Sequence, residues 1–328
     1  MAEPAPARSA QDLFLSVVIP VYNEADGVAE LVERTVASCR DAAGSYELVI
    51  VNDGSRDATL PRLIELSCRV DALRVVDLYR NYGHMPALFA GLAAARGNAV
   101  VVMDGDLQDP PEVIPAFIGR WEEGADVVYG MRTRRRDGPL MAIGTRIFYR
   151  LLRLANDTIP EHAGTFGLLD RTVVDQLNAL PERSRFFAGL RSWVGGVQQH
   201  VPYERQGRVH GRSRVGLPGL AALAETALIS FSKVPLRAAS ALSLLCAIAM
   251  LLAGLAAIAI HTLTHLGIPG WATYTTLIGL AGFAQSLTLA ILAEYVGVIF
   301  DEVKRRPLFA VRSEFTHGAA VPPGGAAD

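Results

Sequence analysis

The chain is predicted to be an α/β protein: a Rossmann-like, mainly parallel sheet followed by a two-helix transmembrane hairpin. Between Leu15 and Gly130, short β-branched runs alternate with helix-like stretches. That is the pattern of a parallel sheet whose strands are buried on both faces. Towards the C-terminus two uncharged apolar runs follow one another, each long enough to cross a hydrocarbon core. The composition agrees, since 51% of the 328 residues are hydrophobic and the mean hydropathy is +0.27.

Taken in order, residues 1–12 are rich in Ala and Pro and are expected as a disordered tail. They carry no basic-then-apolar leader, so export of the first domain is not expected. Strands are expected at 17–19, 48–51, 74–76, 100–102 and 127–129, and helices at 28–40, 59–70, 86–95 and 112–123. Residues 139–156 place Arg146, Arg150 and Arg153 on one side of a helix and Ile147, Leu151 and Leu154 on another. Such a basic amphipathic helix suits a membrane interface; an ordinary surface helix has the same pattern. The apolar runs cover 238–260 and 273–293. Their connector, with His261, His265, Pro269, Gly270 and Trp271, has no Lys or Arg. Lys233 and Arg237 precede the first run, and Lys304, Arg305 and Arg306 follow the second. The positive-inside rule then puts both ends in the cytoplasm. The expected organisation is a tail (1–12), a cytoplasmic domain (13–216), a juxtamembrane amphipathic segment (217–236), the hairpin (237–300) and a cytoplasmic tail (301–328), disordered from about 313.

The net charge of −2 gives no reason to expect nucleic acid. Cys39, Cys68 and Cys246 lie far apart, with neither disulfide nor zinc spacing. The chemistry gathers where strands end. The first strand runs into Pro20-Val21-Tyr22-Asn23-Glu24 and the second into Asn52-Asp53-Gly54-Ser55, at the carboxyl edge where open α/β sheets bind ligands. Asp53 suits a base or ribose; equally, Asn23, Asp53 and Asp57 suit helix caps. The fourth strand ends in Asp104-Gly105-Asp106-Leu107-Gln108-Asp109-Pro110-Pro111. Asp106 and Gln108 alternate on one side of an extended segment, which suits oxygen ligation of Mg²⁺ or Mn²⁺ beside a diphosphate.

These three motifs, in this order, resemble the inverting family 2 glycosyltransferases of the A-type fold. Arg80-Asn81-Tyr82-Gly83-His84 resembles the matching segment of the polyprenyl-phosphate glycosyltransferases, the group of dolichol-phosphate mannose synthase and bactoprenol glucosyltransferase. So do 230–237 before the first apolar run and Glu294-Tyr295-Val296-Gly297 with 301–307 around the end of the second. The resemblance covers about residues 15–310. It implies transfer of a hexose from a UDP-sugar or GDP-mannose to polyprenyl phosphate at the plasma (inner) membrane. Pro20, Tyr22, Asn23, Glu24 and Asp53 would hold the nucleoside. Asp104, Gly105 and Asp106 would meet the ribose and diphosphate, and Asp104, Asp106 and Gln108 the metal. Arg132 would contact the diphosphate. Arg205, Arg208 and Arg212 would sit on a loop closing over the phosphates, which their Gly-rich basic setting supports; a basic linker near anionic lipid has the same composition. Arg146, Arg150 and Arg153 would bring the acceptor to the site. Membrane lipid is a further partner. A second copy of the chain, a flippase and a downstream transferase are partners the resemblance leaves open.

The chain departs from that group in three places. A Gly-Asp-Phe-Arg segment, whose Asp is the proposed base, aligns with Gly164-Thr165-Phe166-Gly167. A usual Tyr aligns with Val215, and Val298 occupies an often basic position. Loss of the Asp need not remove the activity. A phosphate monoester has its second pKa near 6, so the acceptor is largely a dianion at neutral pH. Two other readings are a processive polysaccharide synthase, whose Gln-x-x-Arg-Trp motif is missing, and a non-catalytic scaffold retaining the fold.

Overall fold

The structure, a computed structural model, describes residues 8–133, 163–182, 185, 187–205, 234–264 and 270–321. The chain forms two compact units. One comprises residues 1–142, 158–214 and 306–328, and the other residues 143–157 and 215–305.

The first unit begins β1 (Phe14–Val21), α1 (Val28–Arg40), β2 (Ser45–Asn52), α2 (Thr59–Ser67), β3 (Leu73–Leu78), α3 (His84–Ala94) and β4 (Ala99–Val102). A 3-10 turn (Pro111–Val113) then leads into α4 (Ile114–Glu122), β5 (Val127–Arg132), β6 (Ala163–Asp170), α5 (Arg171–Ala179), α6 (Phe187–Val194) and β7 (Gln198–Tyr203). After the second unit the chain adds β8 (Val311–Thr316) and β9 (Ala319–Val321). The described strands form one nine-stranded sheet in the order β7-β5-β6-β4-β1-β2-β3-β8-β9. Its centre, β4-β1-β2-β3, is parallel. β6 runs antiparallel to both β4 and β5.

The alternation of β1 explains the layers. Leu15, Val17 and Ile19 enter a buried cluster with Val28, Leu31 and Val32 of α1 and Phe117, Ile118 and Trp121 of α4. Val18 faces α3, where a side chain on Gly91 would collide with Val18 and Val51. Such close packing leaves the carboxyl ends of β1, β2 and β4 as the accessible edge for a ligand.

The expected tails are corrected. Residues 8–12 are held to the sheet: Arg8 pairs with Asp126 at 2.8 Å and Asp170 at 3.3 Å, and the Ala10 N–H donates to Glu122. The C-terminal segment is not disordered from residue 313. β8 pairs antiparallel with β3, and β9 with β8. The reason is charge complementarity at a sheet edge. Buried Arg74 donates to Glu47 at 2.7 Å and to Glu314 at 3.1 Å, and Glu47 also accepts from the Ser16 hydroxyl at 2.6 Å. Ala/Gly/Pro-rich composition flags a tail, but it cannot register one charged strand against a partner two hundred residues earlier. β6 and β7, also unforeseen, are each too mixed in polarity to stand out.

The second unit contains α7 (Val234–Thr264) and α8 (Trp271–Val303). Both overrun the expected spans, and Trp271 opens α8 instead of lying in the connector. The two helices pack together, with Ser243 and Thr288 hydrogen-bonded and Ala239 and Ala284 buried. Their large side chains, among them Leu245, Leu252, Ile278, Phe283, Leu289 and Ile299, are exposed. Among the described residues one helix, Leu277–Val303, is long and apolar enough to cross a membrane, with mean hydropathy 1.6. The segments 139–156 and 217–233, with Arg146, Arg150 and Arg153, lie outside the described residues, as do Arg208 and Arg212.

Candidate active site

The parallel strands bring the first three motifs to one edge. After β1, Asn23 turns the chain with φ 53°, its amide accepting from the Arg56 N–H at 2.8 Å. Ser55 and Thr59 accept in turn from the N–H groups of Asn23 and Glu24. The loops after β1 and β2 therefore brace one another. Asp57 precedes the N-cap of α2, Ala58, and accepts from the N–H and hydroxyl of Thr59, the first residue of the helix. Asp53 does something else. It is buried, and its two oxygens accept from the N–H groups of Tyr82 at 2.7 Å and Gly83 at 2.9 Å. Burial raises its pKa, opposed by those two amides and by the charges of His84 and Arg80. Asp53 thus ties the Arg80-Asn81-Tyr82-Gly83 segment to the end of β2. Gly54 must be glycine here, since it sits at φ +63° with the Arg80 backbone against it.

Past β4, Gly105 lies so close to β1 that a side chain would meet Val21 at 2.7 Å and the Pro20 carbonyl at 3.0 Å. This close approach sets Asp104 and Asp106 beside the end of β1. Asp104 is a meeting point. Thr165 of β6 donates to its Oδ1 at 3.1 Å, and His84 Nε2 lies 3.4 Å from the same oxygen. Arg205 Nη2 lies 3.8 Å from Oδ2. Asp106 accepts from the Gln108 N–H at 3.2 Å.

Beneath these groups runs a buried relay. The Tyr203 hydroxyl donates to Asp109 Oδ1 at 2.6 Å and accepts from Arg132 Nε at 3.3 Å, while Arg205 Nε lies 3.4 Å from the same Asp109 oxygen. Burial first, and then the negative charge of Asp104, push the Asp109 pKa up; the Tyr203 hydrogen bond, Arg205 and Arg132 act against that. Burial also raises the Tyr203 pKa, with the charge of Asp109 adding to it. The tyrosine therefore remains a neutral donor.

Among the described residues no group of three or more His, Cys, Asp or Glu forms a metal cage. A cage is not what a diphosphate-bound Mg²⁺ or Mn²⁺ needs. One or two carboxylates suffice when the substrate supplies phosphate oxygens, and Asp104 and Asp106 meet that requirement in kind; the segment after β4 is a turn, with Leu107 at φ 56°, and not the extended run expected to put Asp106 and Gln108 on one side. The structure brings Pro20, Tyr22, Asn23, Glu24, Asp53, Asp104, Gly105, Asp106, Arg132 and Arg205 to one edge or directly beneath it. Sequence reasoning missed Tyr203 and did not give Asp109 or His84 a role of its own. Asp109 and His84 stand inside motifs that were already legible. Tyr203 closes a strand of weak pattern, and nothing local marks it.

Comparison with known proteins matches residues 16–177 to the model of glycosyl transferase family 2. A bactoprenol glucosyl transferase of Shigella phage SfV is 38% identical over 305 residues, covering 92% of this chain and 98% of that protein. The chain belongs to glycosyl transferase family 2. It is a glycosyltransferase. A prophage bactoprenol glucosyl transferase homolog of Escherichia coli is 35% identical over 91% of this chain and 98% of its own length. An uncharacterized glycosyltransferase of Synechocystis is 38% identical over 90% and 94%. Among solved structures, glucosyl-3-phosphoglycerate synthase from Mycobacterium tuberculosis, in complex with Mn²⁺, UDP and glucosyl-3-phosphoglycerate, matches with a TM-score of 0.50. It is 22% identical and covers 67% of this chain and 80% of its own, a likeness that establishes the A-type fold.

Proposed function

We propose that this glycosyltransferase moves a hexose from a nucleotide sugar, a UDP-sugar or GDP-mannose, onto polyprenyl phosphate with inversion at the anomeric carbon. The observation that carries the reading is the convergence of Thr165, His84 and Arg205 on Asp104 at the carboxyl end of β4. Relatives named bactoprenol glucosyl transferases, similar along nearly their whole length, support the acceptor class.

An acceptor phosphate oxygen attacks the anomeric carbon from the face opposite the diphosphate. A new carbon–oxygen bond forms as the bond to the nucleoside diphosphate breaks, and the electron pair leaves on the diphosphate. No protein base is needed, because the attacking phosphate is already ionised. The work of the chain is positioning and charge stabilisation. Asp104 and Asp106, with Gln108, would hold Mg²⁺ or Mn²⁺ against the diphosphate, and the bound cation would offset the charge of the leaving group. Pro20, Tyr22, Glu24 and Asp53 line the nucleoside side, and Arg132 and Arg205 supply guanidinium donors to phosphate. Arg208 and Arg212 extend that basic set, and Arg146, Arg150 and Arg153 guide the lipid acceptor from the membrane surface.

In the same reading α7 and α8 cross the plasma membrane as a hairpin, with the catalytic unit in the cytoplasm. The exposed apolar side chains on both helices support this. So does the connectivity: the sheet takes strands from before α7 and from after α8, as a segment that leaves and returns requires. Turnover of detergent-solubilised protein with polyprenyl phosphate and a panel of nucleotide sugars tests the proposal. A lipid-linked sugar is expected with at least one donor, lost on chelation and restored by Mg²⁺ or Mn²⁺. Asp106→Ala should fold normally and give no product. Failure of every donor, or full activity of Asp106→Ala, overturns it.

A further inference from the structure

Arg191 of α6 belongs to none of the motifs above. It is 1% exposed, among the largest fully buried side chains of the protein. Its Nη1 donates to the Gly164 carbonyl at a long 3.3 Å. Among the described residues Nε and Nη2 have no hydrogen-bond partner, and no carboxylate pairs with the charge. The Tyr129 ring, 5.0 Å from Cζ, and the Phe187 ring, 5.8 Å away, give it only aromatic faces. Burial pulls its pKa down to about 10, which still leaves it a cation at neutral pH.

An unpaired buried guanidinium is among the costliest groups a fold can carry. Most buried polar groups are paired, and an unpaired buried guanidinium marks a candidate site for a ligand. Its position supplies the ligand. Gly164 directly precedes Thr165, whose hydroxyl holds Asp104. Arg132 reaches the same glycine, because a side chain on Gly164 would meet Arg132 Nη2 at 3.1 Å. Two guanidinium groups therefore converge on the first residues of β6, beside the reacting edge of the sheet. Arg132 is already engaged by Tyr203, within reach of the charge of Asp109. Arg191 has two donors in a fork and nothing to give them to, the geometry a phosphate accepts in bidentate fashion.

We propose that Arg191 is the acceptor-binding residue of this enzyme, its free Nε and Nη2 taking the phosphate monoester of the acceptor. This rests on the polyprenyl-phosphate reading above, and a binding measurement separates the two. The probe is farnesyl monophosphate, a short soluble phosphate monoester, titrated into the full-length protein in detergent with UDP and Mn²⁺ present. Arg191→Met should weaken its binding about tenfold or more. UDP affinity should stay within about twofold, and the thermal midpoint should not fall, because the variant removes an uncompensated buried charge. In turnover the loss should appear in KM for the acceptor, not for the donor. Unchanged farnesyl phosphate binding in Arg191→Met, a loss shared equally with UDP, or no binding by the wild-type protein would overturn the assignment. If Arg191→Met fails to fold, Arg191→Lys decides, since it keeps the charge and loses the fork: weakened binding supports the proposal and wild-type binding refutes it. Arg191-dependent binding by a protein that transfers no sugar would sink the transferase reading and leave this site standing.

Discussion

Thr165 stands where the family resemblance implies a carboxylate, and its hydroxyl serves its neighbour. Thr165 donates to Asp104, so it orients a carboxylate and removes no proton. Thr165→Ala should lose one hydrogen bond, about 1 kcal/mol, or roughly fivefold in turnover. Arg205→Ala removes the cation lying between Asp104 and Asp109, and should cost roughly 1.5–3 kcal/mol in turnover. Rates at saturating donor across pH 5.5 to 8 check both; a thousandfold loss in Thr165→Ala with Arg205→Ala near normal would mean that Thr165 has a chemical role. Asp109 makes a separate statement about pH. Its folded-state pKa is raised by burial and by Asp104, so the native state holds this proton more tightly than the unfolded chain. That contribution to stability is complete below about pH 4, the unfolded carboxylate value, and is lost as pH rises through the folded pKa. Asp109→Asn keeps an acceptor for Tyr203 and removes the titration. The thermal midpoint of the wild-type protein should therefore fall relative to that variant as pH goes from 4 to 7, and parallel curves would show that Asp109 does not titrate in this way.

Among the elements, β8 is the one that most changes the picture. It lies at the far end of the chain, yet it covers the β3 edge and brings Glu314 to Arg74. Arg74 links β2, β3 and β8 through Glu47 and Glu314, all three side chains nearly buried. Arg74→Ala would leave two buried carboxylates without their cation, a loss of about 3–5 kcal/mol, readable as a lowered midpoint in chemical denaturation. Glu314→Gln keeps a hydrogen-bond acceptor and should cost less. A second charge marks the same edge. Arg312 lies 3.5 Å from buried Asp77, whose other oxygen accepts from Asn52 at 2.7 Å. The loops after β1 and β2 owe their shape to comparable local bonds, and there the element-level pattern was readable in the motifs themselves.

For the molecule as a whole, the decisive test is topology. In a cysteine-free background, Pro269→Cys should react with an impermeant thiol reagent added outside intact cells. A probe on the returning segment should not. Ser313 is a poor site for it, being paired within β8 opposite Asp77. Ala319 is exposed, at the start of β9, and Ala319→Cys should label only after the cells are opened. Labelling of Ala319→Cys in intact cells, with Pro269→Cys protected, would reverse the orientation. The native exposed thiol, Cys68, must be removed first.

By itself the sequence determined the parallel centre of the sheet, the helices between its strands, the two long apolar helices and the carboxylates after β4. Each of these is a local pattern: β-branched runs, helical spacing, uncharged length, and polar residues following a strand. α1 ends where the pattern ends, at Arg40. Only the tertiary structure decided the antiparallel insertion of β6, the return of β8 to the sheet, the ordering of residues 8–12 and the partners of Asp104. Each depends on a pairing between distant residues, such as Arg74 with Glu314 or Thr165 with Asp104. Such a pairing leaves no periodic trace in either segment. The same reason hid Arg191. In sequence it is one basic residue in a short helix, and its isolation exists only once β5, β6 and α6 have closed around it and left two of its donors without an acceptor.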